Sequence, residues 1–399
     1  MSTDTGIIII GGGMIGATLA GLLGREQIPV TVVESQTPRT LDDSQSPLDL
    51  RVSSVNLASA NLFERVGAWE TMTAQRVCPF RRLWCRDQSG AETRFDARET
   101  GYDWFGWFVE NAVILNGVQQ SAQAMPSVRW IAPSSPSRVA TNPEAVDVEL
   151  ETGEHLSGAL VVGADGASSQ VREGADISSY HTDYHLRALV VNVATELPQQ
   201  DVTWQRFTSD GPQAFLPLPG HRASLVWYGP PDTIRLLESL DDDTLAQEIL
   251  EAFPEDLGHI TAILGRASFP IRRQHAARYT DTRLALLGDA AHAIHPLVGQ
   301  GLNLGLQGVG ALADVLIGAS REGSDPGRPG TLAEYERKHR PRALAMMVAT
   351  DTLHRVFTRE DGALTRFAGG ALRLADRVPV GRRSVMRYAM GLPVKGGAL

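Results

Sequence analysis

The chain has 399 residues, of which 43% are hydrophobic, so it is long and apolar enough for two or three domains or one compound fold. Its 37 basic and 46 acidic residues give a formal charge of −9, which argues against general nucleic-acid binding through a positively charged surface. Cys78 and Cys85 are too few for a disulfide framework and lack neighbours at zinc-binding spacing, so we expect a reducing cytoplasm and no metal site.

The first predicted elements are a buried strand, a glycine-rich loop and a helix. Ile7–Ile10 form a short β-branched run, and Gly11, Gly13 and Gly16 follow it at once. In this context Gly11 permits a tight turn, Gly13 lets the backbone approach a pyrophosphate, and Gly16 lets the helix pack on the strand.

The uncharged segment 6–24 is almost long enough to cross a bilayer, but a phosphate loop explains its glycines better. We therefore expect no transmembrane span, and no secretory signal because MSTDT lacks positive charge.

A second strand and an acidic residue complete this unit. Val30–Val33 are predicted to form a strand that ends at Glu34, roughly 20 residues past the loop. A carboxylate at that place accepts hydrogen bonds from an adenosine ribose and repels a 2′-phosphate. The pattern predicts a bound dinucleotide and leaves FAD and NAD both open. The competing interpretation is a glycine-rich turn between two ordinary elements.

The middle of the chain changes from helical to strand patterns. A buried-strand pattern at 159–162 runs into GADGASSQVRE, in which Asp165 and Gly166 form a turn that is weak evidence by itself. Strand patterns at Leu186–Val193, Ala214–Leu218 and Ala223–Tyr228 follow, separated by turns, and predict an antiparallel sheet that covers a substrate pocket. Most aromatics here belong to the core, but the candidates to line the pocket are Trp204, Phe207, Phe215, Trp227 and Tyr228.

A third strand, turn and helix pattern lies in LALLGDAAHAIHPLVGQGLNLGL. Leu284–Leu287 are predicted to form a buried strand, Gly288 and Asp289 end it, and Pro296 and the following glycines lead into a long helix. Such a turn leaves room for a large ligand.

The C-terminal region, from Leu364 to Leu399, is basic on an otherwise acidic protein. Asp376 is its one acidic residue. The basic residues are Arg366, Arg373, Arg377, Arg382, Arg383, Arg387 and Lys395. An amphipathic basic segment of this kind is typical of contact with an anionic membrane surface or a partner protein, or of the solvated face of a packed helix.

These three motifs, in this order, resemble the group A flavoprotein aromatic hydroxylases over nearly the full length of the chain. Within that class, RVSSVNLAS, FVENAVI and GDAAHAIHPLVGQGLNLGL are similar to the ring hydroxylases of ubiquinone biosynthesis. The segment VTWQRFTSDGPQAFLPLPGHRASLVWYGPP looks most like the branch that hydroxylates demethoxyubiquinol.

The resemblance implies an α/β fold of the p-hydroxybenzoate hydroxylase type. A discontinuous, Rossmann-like FAD-binding domain would comprise residues 1–75, 106–179 and 276–345. Residues 76–105 and 180–275 would form a substrate domain built on an antiparallel β-sheet. Residues 346–399 would form C-terminal helices.

The resemblance also implies roles for individual residues. Gly11, Gly13 and Gly16 would hold the FAD pyrophosphate and Glu34 the ribose. The remaining cofactor-binding positions would be Arg51, Asn111, Asp165, Gly166, Gly288, Asp289, Gly299, Gln300, Gly301, Leu302 and Asn303. The family often has Gln where Leu115 stands and Asp where Gly308 stands, so side-chain contacts at those two places are not expected here. The main-chain amides at the start of the last helix would stabilise the negative charge of the reduced flavin.

The chemistry implied is NAD(P)H reduction of FAD, reaction with O2 to a C4a-hydroperoxide, and attack of its distal oxygen on the ring of a polyprenylated quinol. Pro296 would keep side chains away from the flavin, and His292 and His295 are the candidates for proton handling, with the alternative that they only shape the turn. A second nucleotide-binding unit is not predicted, so NAD(P)H would bind transiently. Three possibilities remain open. The enzyme would hydroxylate another position of the ring, or the protein would be a non-catalytic FAD-binding scaffold of a biosynthetic complex. The protein would be cytoplasmic, with or without peripheral attachment to the inner face of the membrane.

Overall fold

The computed structural model describes residues 3–4, 6–38, 40–41, 48–87, 92–253, 258–296, 299–358 and 379–393. The helices are α1 (Met14–Arg25), α2 (Leu57–Val66), α3 (Trp69–Thr73), α4 (Asn111–Gln123), α5 (Gln170–Gly174), α6 (Pro231–Ser239), α7 (Asp242–Ala252), α8 (Gly301–Arg321), α9 (Pro329–Thr358) and α10 (Pro379–Ala389). Short 3-10 turns lie at Ala97–Thr100 and Gly288–Ala290.

The strands follow one another along the chain with few long gaps. Those of the first half are β1 (Thr3–Asp4), β2 (Ile7–Ile10), β3 (Val30–Val33), β4 (Val52–Asn56), β5 (Val77–Phe80), β6 (Arg82–Asp87), β7 (Glu92–Asp96), β8 (Gly106–Glu110), β9 (Val128–Ile131), β10 (Pro136–Thr141), β11 (Val146–Leu150), β12 (His155–Gly158) and β13 (Leu160–Gly163). Those of the second half are β14 (Ser179–Thr195), β15 (Val202–Thr208), β16 (Gly211–Leu218), β17 (Arg222–Gly229), β18 (Ile260–Ala276), β19 (Thr280–Asp281), β20 (Leu284–Leu286) and β21 (His292–Ala293).

A largely parallel sheet of order β19-β20-β13-β2-β3-β9 forms the centre of the dinucleotide-binding part. Every residue of β2 and β3 is buried, and both strands occupy the residues predicted for them. Helix α1 packs between α4 and α8 in the largest core cluster. The predicted strands near residues 160 and 284 are also confirmed, with ends displaced by one residue. The carboxyl ends of β2, β13 and β20 consequently meet at one edge of the sheet, where ligands bind in such folds.

The predicted antiparallel sheet is confirmed as an eight-stranded sheet of order β21-β18-β14-β17-β16-β15-β6-β7. Its pairs are antiparallel except β15 with β6. Helices α6 and α7 pack against one face and enclose a second core. The opposite face is therefore free to meet the dinucleotide-binding part.

A small sheet of order β4-β8-β5 joins the two parts. It pairs β5, expected in the substrate domain, with β8, expected in the FAD-binding domain. The boundary expected after residue 345 falls inside the continuous helix α9. Strand β21, expected in the FAD-binding domain, also pairs with β18 of the substrate domain. The domain division stays a prediction, and secondary structure crosses it at these places.

Within the described ranges, one helix, α8, is long and apolar enough to span a bilayer. Most of its apolar segment is buried inside the protein, where it packs against α1 and α9. Its composition is therefore that of a core helix.

Candidate active site

A cavity of about 1050 Å³ runs between the edge of the parallel sheet and the eight-stranded sheet. It is lined by most of the residues predicted to hold FAD: Gly11, Gly13, Glu34, Arg51, Asn111, Asp165, Gly166, Gly288, Asp289, Gly299, Gln300, Gly301 and Leu302. Pro296 lines it as well. Segments that are distant in the sequence thus converge on one volume, as a large ligand requires.

Glycine is required at the three positions of the first loop for different structural reasons. Gly11 has φ +100°, and a Cβ there would lie 2.4 Å from the carbonyl oxygen of Ala164. A Cβ on Gly16 would lie 1.9 Å from the carbonyl oxygen of Gly11. Gly13, in contrast, has φ −67°, and no described atom comes within 4 Å of an added Cβ. The chain itself requires Gly11 and Gly16, whereas only a ligand in the cavity would require Gly13.

Glu34 supports the same loop. Its Oε2 accepts a hydrogen bond from the Gly12 amide at 2.7 Å, and its Oε1 accepts one from the Gln36 amide at 2.8 Å. On the other side of the loop, the side-chain amide of Gln119 donates to the carbonyl oxygen of Gly12 at 2.8 Å. The carboxylate predicted to bind the ribose is therefore already held in place at the cavity wall.

Arg51 and Asn111 are brought together by β4 and the start of α4. The Asn111 amide donates to the carbonyl oxygen of Arg51 at 2.8 Å, and the Ser53 hydroxyl donates to Asn111 Oδ1 at 2.6 Å. Asp49 anchors both, since its carboxylate accepts the amides of Arg51 and Ala112 at 3.0 Å each.

A buried ion pair lies directly behind this anchor. Arg76 Nε lies 2.8 Å from Glu110 Oε1, and both side chains are almost fully buried. Glu110 Oε2 accepts the Asp49 amide at 2.7 Å. Asn192 of β14 donates to the carbonyl oxygen of Asp49 at 3.0 Å, which ties the anchor to the eight-stranded sheet. Sequence patterns did not identify Asp49, Arg76 and Glu110, although Asp49 lies two residues before RVSSVNLAS and Glu110 lies within FVENAVI.

The two predicted acidic residues of the later motifs lie at the cavity wall. Burial raises the pKa of Asp289, and the positive charge of Arg51 offsets part of that increase. Many protein atoms lie around the Asp289 carboxyl, yet the residue keeps an exposed surface and lines the cavity. Burial also raises the pKa of Asp165, whose Oδ2 accepts the Val171 amide at 3.2 Å and so holds the turn.

The loop before α8 places main-chain groups at the cavity. Gly299 has φ +61° and donates to the carbonyl oxygen of Pro296 at 2.9 Å. Among the described residues, no side chain caps the amino end of α8. Asn303 does not line the cavity; its Oδ1 accepts the Asn56 amide at 3.0 Å, and its Nδ2 donates to the Ser54 carbonyl at 2.8 Å. Its side chain thus fixes the loop to β4 and leaves the first-turn amides of α8 available to an anion.

The two histidines proposed for proton handling lie outside the residues that line the cavity. His292 Nε2 is 2.8 Å from His339 Nε2, and burial lowers the pKa of His292 well below its usual range. Burial lowers the pKa of His295 to about 3, and its ring packs against Tyr184 and His354. Both imidazoles are neutral at pH 7, which favours the alternative that they shape the turn.

The aromatic candidates are divided between the cavity and the core. Trp204 and Tyr228 line the cavity, whereas Phe207, Phe215 and Trp227 do not. Phe215 and Trp227 belong to the core beneath α6 and α7. The sequence analysis missed the aromatic residues that β5, β7, β8 and the loop before β8 contribute: Phe80, Phe95, Phe105 and Phe108. Alternation along a strand identifies its two faces but does not say which face meets a ligand.

The residues present fit FAD together with a ring substrate. One end of the cavity offers the glycine loop, a fixed carboxylate and the amino ends of α1 and α8. The other end is apolar. Such a division suits a charged dinucleotide that presents its isoalloxazine ring to an apolar compartment.

Comparisons with known proteins agree with this geometry. The profile of a family described as an FAD binding domain matches residues 4–350. The 3-demethoxyubiquinol 3-hydroxylase of Escherichia coli is 38% identical over 388 residues, 97% of this chain and 99% of that protein. Ubiquinone hydroxylase UbiL of Rhodospirillum rubrum is 34% identical over 387 residues, 96% of this chain and 89% of that protein.

Solved structures show the same architecture. PqsL, a probable FAD-dependent monooxygenase from Pseudomonas aeruginosa, is 25% identical with a TM-score of 0.76, covering 92% of this chain and 99% of that one. The p-nitrophenol 4-monooxygenase PnpA from Pseudomonas putida has a TM-score of 0.79 over 98% of this chain and 99% of that one. At 19% identity, this second likeness concerns the fold alone.

Proposed function

The chain belongs to the FAD binding domain family, and we propose that this flavin-dependent monooxygenase hydroxylates the ring of a polyprenylated quinol in ubiquinone biosynthesis. NAD(P)H would be the reductant and O2 the oxygen source. Within the pathway, demethoxyubiquinol is the substrate we favour, because the relative that acts on it is 38% identical over 97% of this chain. The observation that carries the proposal is one continuous cavity that is polar at its dinucleotide end and apolar at its other end.

Bound FAD supplies the redox chemistry and the activation of O2. The protein positions it. Gly11 and Gly13 would lead the chain past the pyrophosphate to the amino end of α1, and Glu34, which holds Gly12, would accept hydrogen bonds from the ribose. The first-turn amides of α8 would stabilise negative charge on the flavin. Arg51, whose positive charge offsets the carboxylate of Asp289, would act with it on the ribityl or pyrophosphate part.

The apolar compartment excludes water from the reacting ring. Pro296 adds no polar side chain to the wall, and Tyr228 and Val226 of β17 line the facing side. A quinol is electron-rich, so its ring needs little activation by a protein base. In agreement with this low requirement for a base, His292 and His295 do not line the cavity. The protein's part is therefore to bind, orient and dehydrate the substrate.

The proposal is tested in the host by deleting the gene and analysing the quinone pool by mass spectrometry. Demethoxyubiquinone should accumulate, and wild-type protein should reverse the accumulation. Asp289→Ala should fail to do so and should purify without FAD. The matched control is Asp232→Ala, since the Asp232 side chain is 95% exposed.

Other outcomes of the deletion separate the alternatives. Accumulation of an earlier intermediate would keep the chemistry and move it to another ring carbon. Reversal by an FAD-free Asp289→Ala protein would indicate a non-catalytic scaffold. An unchanged quinone pool would contradict the proposed pathway.

We further propose a peripheral contact with the inner face of the membrane, because a polyprenyl lipid must leave the bilayer to react. Of the C-terminal basic residues, Arg366, Arg373, Arg377 and Lys395 lie outside the described residues. In α10, Val385 and Tyr388 are exposed beside Arg383. Flotation with anionic vesicles, compared with neutral ones, tests this contact; equal recovery in both would contradict it.

We also propose membership of a complex of ubiquinone-biosynthesis enzymes. Co-purification from the host with other enzymes of the pathway tests this membership.

A further inference from the structure

At the apolar end of the cavity, side chains of one apolar cluster form the wall. Its lining side chains are Phe80, Leu83, Phe95, Phe105, Phe108 and Met386, which we call the apolar chamber. They come from β5, β6, β7, β8, the loop before β8, and α10, and all belong to one apolar cluster. The charged residues that line the rest of the cavity are Glu34, Arg51, Asp165, Arg272 and Asp289. The chamber therefore suits a ligand without charge or hydrogen-bonding groups.

Helix α10 closes this chamber and is fastened at both ends. Near its start, Arg382 donates to Glu99 Oε1 at 2.8 Å and Oε2 at 2.9 Å, and its guanidinium lies 5.1 Å from the centre of the Phe95 ring. At its end, the carbonyl oxygen of Ala389 accepts from the Asn56 side chain at 3.3 Å. The helix thus spans from the turn after β7 to the start of α2.

One side of α10 faces the cavity and the other faces solvent. Met386 is 2% exposed, and Val385, Met386 and Ala389 all line the cavity. Val385 is also 58% exposed, so the chamber reaches the protein surface beside it. Tyr388 is 45% exposed and does not line the cavity. A long chain held in the chamber would leave the protein beside Val385.

We propose that the apolar chamber binds the isoprenoid tail of the quinol, and that Met386 and Ala389 of α10 determine how well the tail fits. This inference rests on the proposed function and extends it. When the ring lies at Pro296, its tail has to run away from the dinucleotide end, and the chamber continues the cavity in apolar side chains. Each methylene-sized group buried there strengthens binding roughly fourfold. The tail therefore contributes affinity, whereas the flavin-side residues govern the chemistry.

Ala389 offers a direct test because its small side chain lines the cavity without carrying a polar contact. Ala389→Leu adds carbons to the cavity wall about one helical turn after Met386, and Ala389→Val adds fewer. For a quinol with a tail, we expect KM to rise at least about tenfold in Ala389→Leu and less in Ala389→Val. For a ring without a tail, KM should rise by less than it does for the quinol with a tail. Tyr388→Leu is the matched control, since it introduces the same side chain on the solvent face.

The experiment uses the purified FAD-loaded enzyme and quinols with no tail or with tails of increasing isoprene number. KM and kcat are measured for each, together with the dissociation constant of the oxidised quinone from flavin fluorescence. In wild type, affinity should rise with tail length until the chamber is filled. Ala389→Leu should remove that rise at unchanged FAD content and Tm, and Tyr388→Leu should retain it.

Two results would overturn the inference and leave the proposed function standing. One is an equal rise of KM in Ala389→Leu for quinols with and without a tail. The other is a wild-type affinity independent of tail length with normal hydroxylation. Failure of every quinol to bind or react would instead contradict the proposed function, and the inference with it.

Discussion

Gly308 of α8 and His339 of α9 pack so closely that a Cβ added to Gly308 would lie 2.7 Å from the Nε2 atom of His339. The same nitrogen lies 2.8 Å from Nε2 of His292. The flavoprotein hydroxylases that the sequence resembles often carry Asp at the position of Gly308. In this chain a buried imidazole occupies that space and joins α8, α9 and β21, which gives the departure a structural reason.

This packing predicts that Gly308→Ala destabilises the protein. Overpacking of a buried site costs about 1–3 kcal/mol, which exceeds the gain of about 1 kcal/mol from replacing a helical glycine by alanine. Thermal denaturation measures the change. The control is Gly310→Ala, since no described atom lies within 4 Å of a Cβ at Gly310, and its Tm should hold or rise. A Gly308→Ala protein as stable as Gly310→Ala would contradict the packing.

The same histidine predicts a pH dependence of stability. Burial lowers the pKa of His339 to about 4, whereas an unfolded histidine titrates at about 6.5. Between these values the unfolded state binds more protons, so the stability contributed by neutral His339 is complete above about pH 6.5 and is lost as the pH falls toward about 4. In denaturant titrations, the free energy of unfolding should depend less on pH in His339→Gln than in wild type. His185→Gln, at a side chain that is 89% exposed, should keep the wild-type dependence. Identical pH profiles for His339→Gln and wild type would contradict the assignment.

The phosphate loop predicts a difference between two neighbouring glycines. Gly13→Ala introduces a methyl group that meets no described atom, so the apoprotein should keep its Tm while the methyl group obstructs the pyrophosphate. We expect the FAD dissociation constant, measured by flavin fluorescence, to rise at least about tenfold. Gly16→Ala should lower the Tm of the apoprotein itself, because its Cβ would lie 1.9 Å from the Gly11 carbonyl oxygen. Unchanged FAD affinity in Gly13→Ala would place the pyrophosphate elsewhere.

The buried pair of Arg76 and Glu110 predicts a coupling between stability and FAD binding. Arg76→Met leaves the Glu110 carboxylate buried without its cation, which should cost about 3–5 kcal/mol. FAD affinity should fall too, since Glu110 holds the amide of Asp49. Denaturant unfolding and FAD titration measure the two effects.

An exposed ion pair provides the comparison for Arg76→Met. Arg65 lies 3.8 Å from Asp314, and both side chains are more than half exposed. Arg65→Met should therefore cost less than about 1 kcal/mol and leave FAD affinity unchanged. Equal losses in the two variants would show that the buried pair does not support the flavin side.

The flavin-side residues were predictable because their signals are local. A buried strand, a glycine loop and a helix lie within one short segment around Gly13, and the later motifs repeat that order. The role of Asn303 was not predictable from local signals, because its side chain bonds Asn56, 247 residues earlier. Tertiary packing also decides that Trp204, a buried member of the second core, lines the cavity, whereas Trp227 packs against that core and does not.

The substrate end of the cavity was predicted least well, because contacts between distant parts of the sequence decide its structure. The sequence indicates that the C-terminal region is basic and amphipathic, which is typical of several different surfaces. Only the folded chain shows that Arg382 pairs with Glu99 and that Met386 is turned into the cavity. Arg382 and Glu99 are 283 residues apart, and Met386 packs with side chains from the first third of the chain, beyond the reach of periodicity and turn signals.

The central claim, hydroxylation of the quinol ring, is tested most directly with purified FAD-loaded protein, NAD(P)H, demethoxyubiquinol and oxygen-18-labelled O2. The account predicts a product that carries one labelled oxygen on its ring, formed at the expense of NAD(P)H. Consumption of NAD(P)H with release of labelled hydrogen peroxide and an unlabelled, unchanged quinol would contradict it.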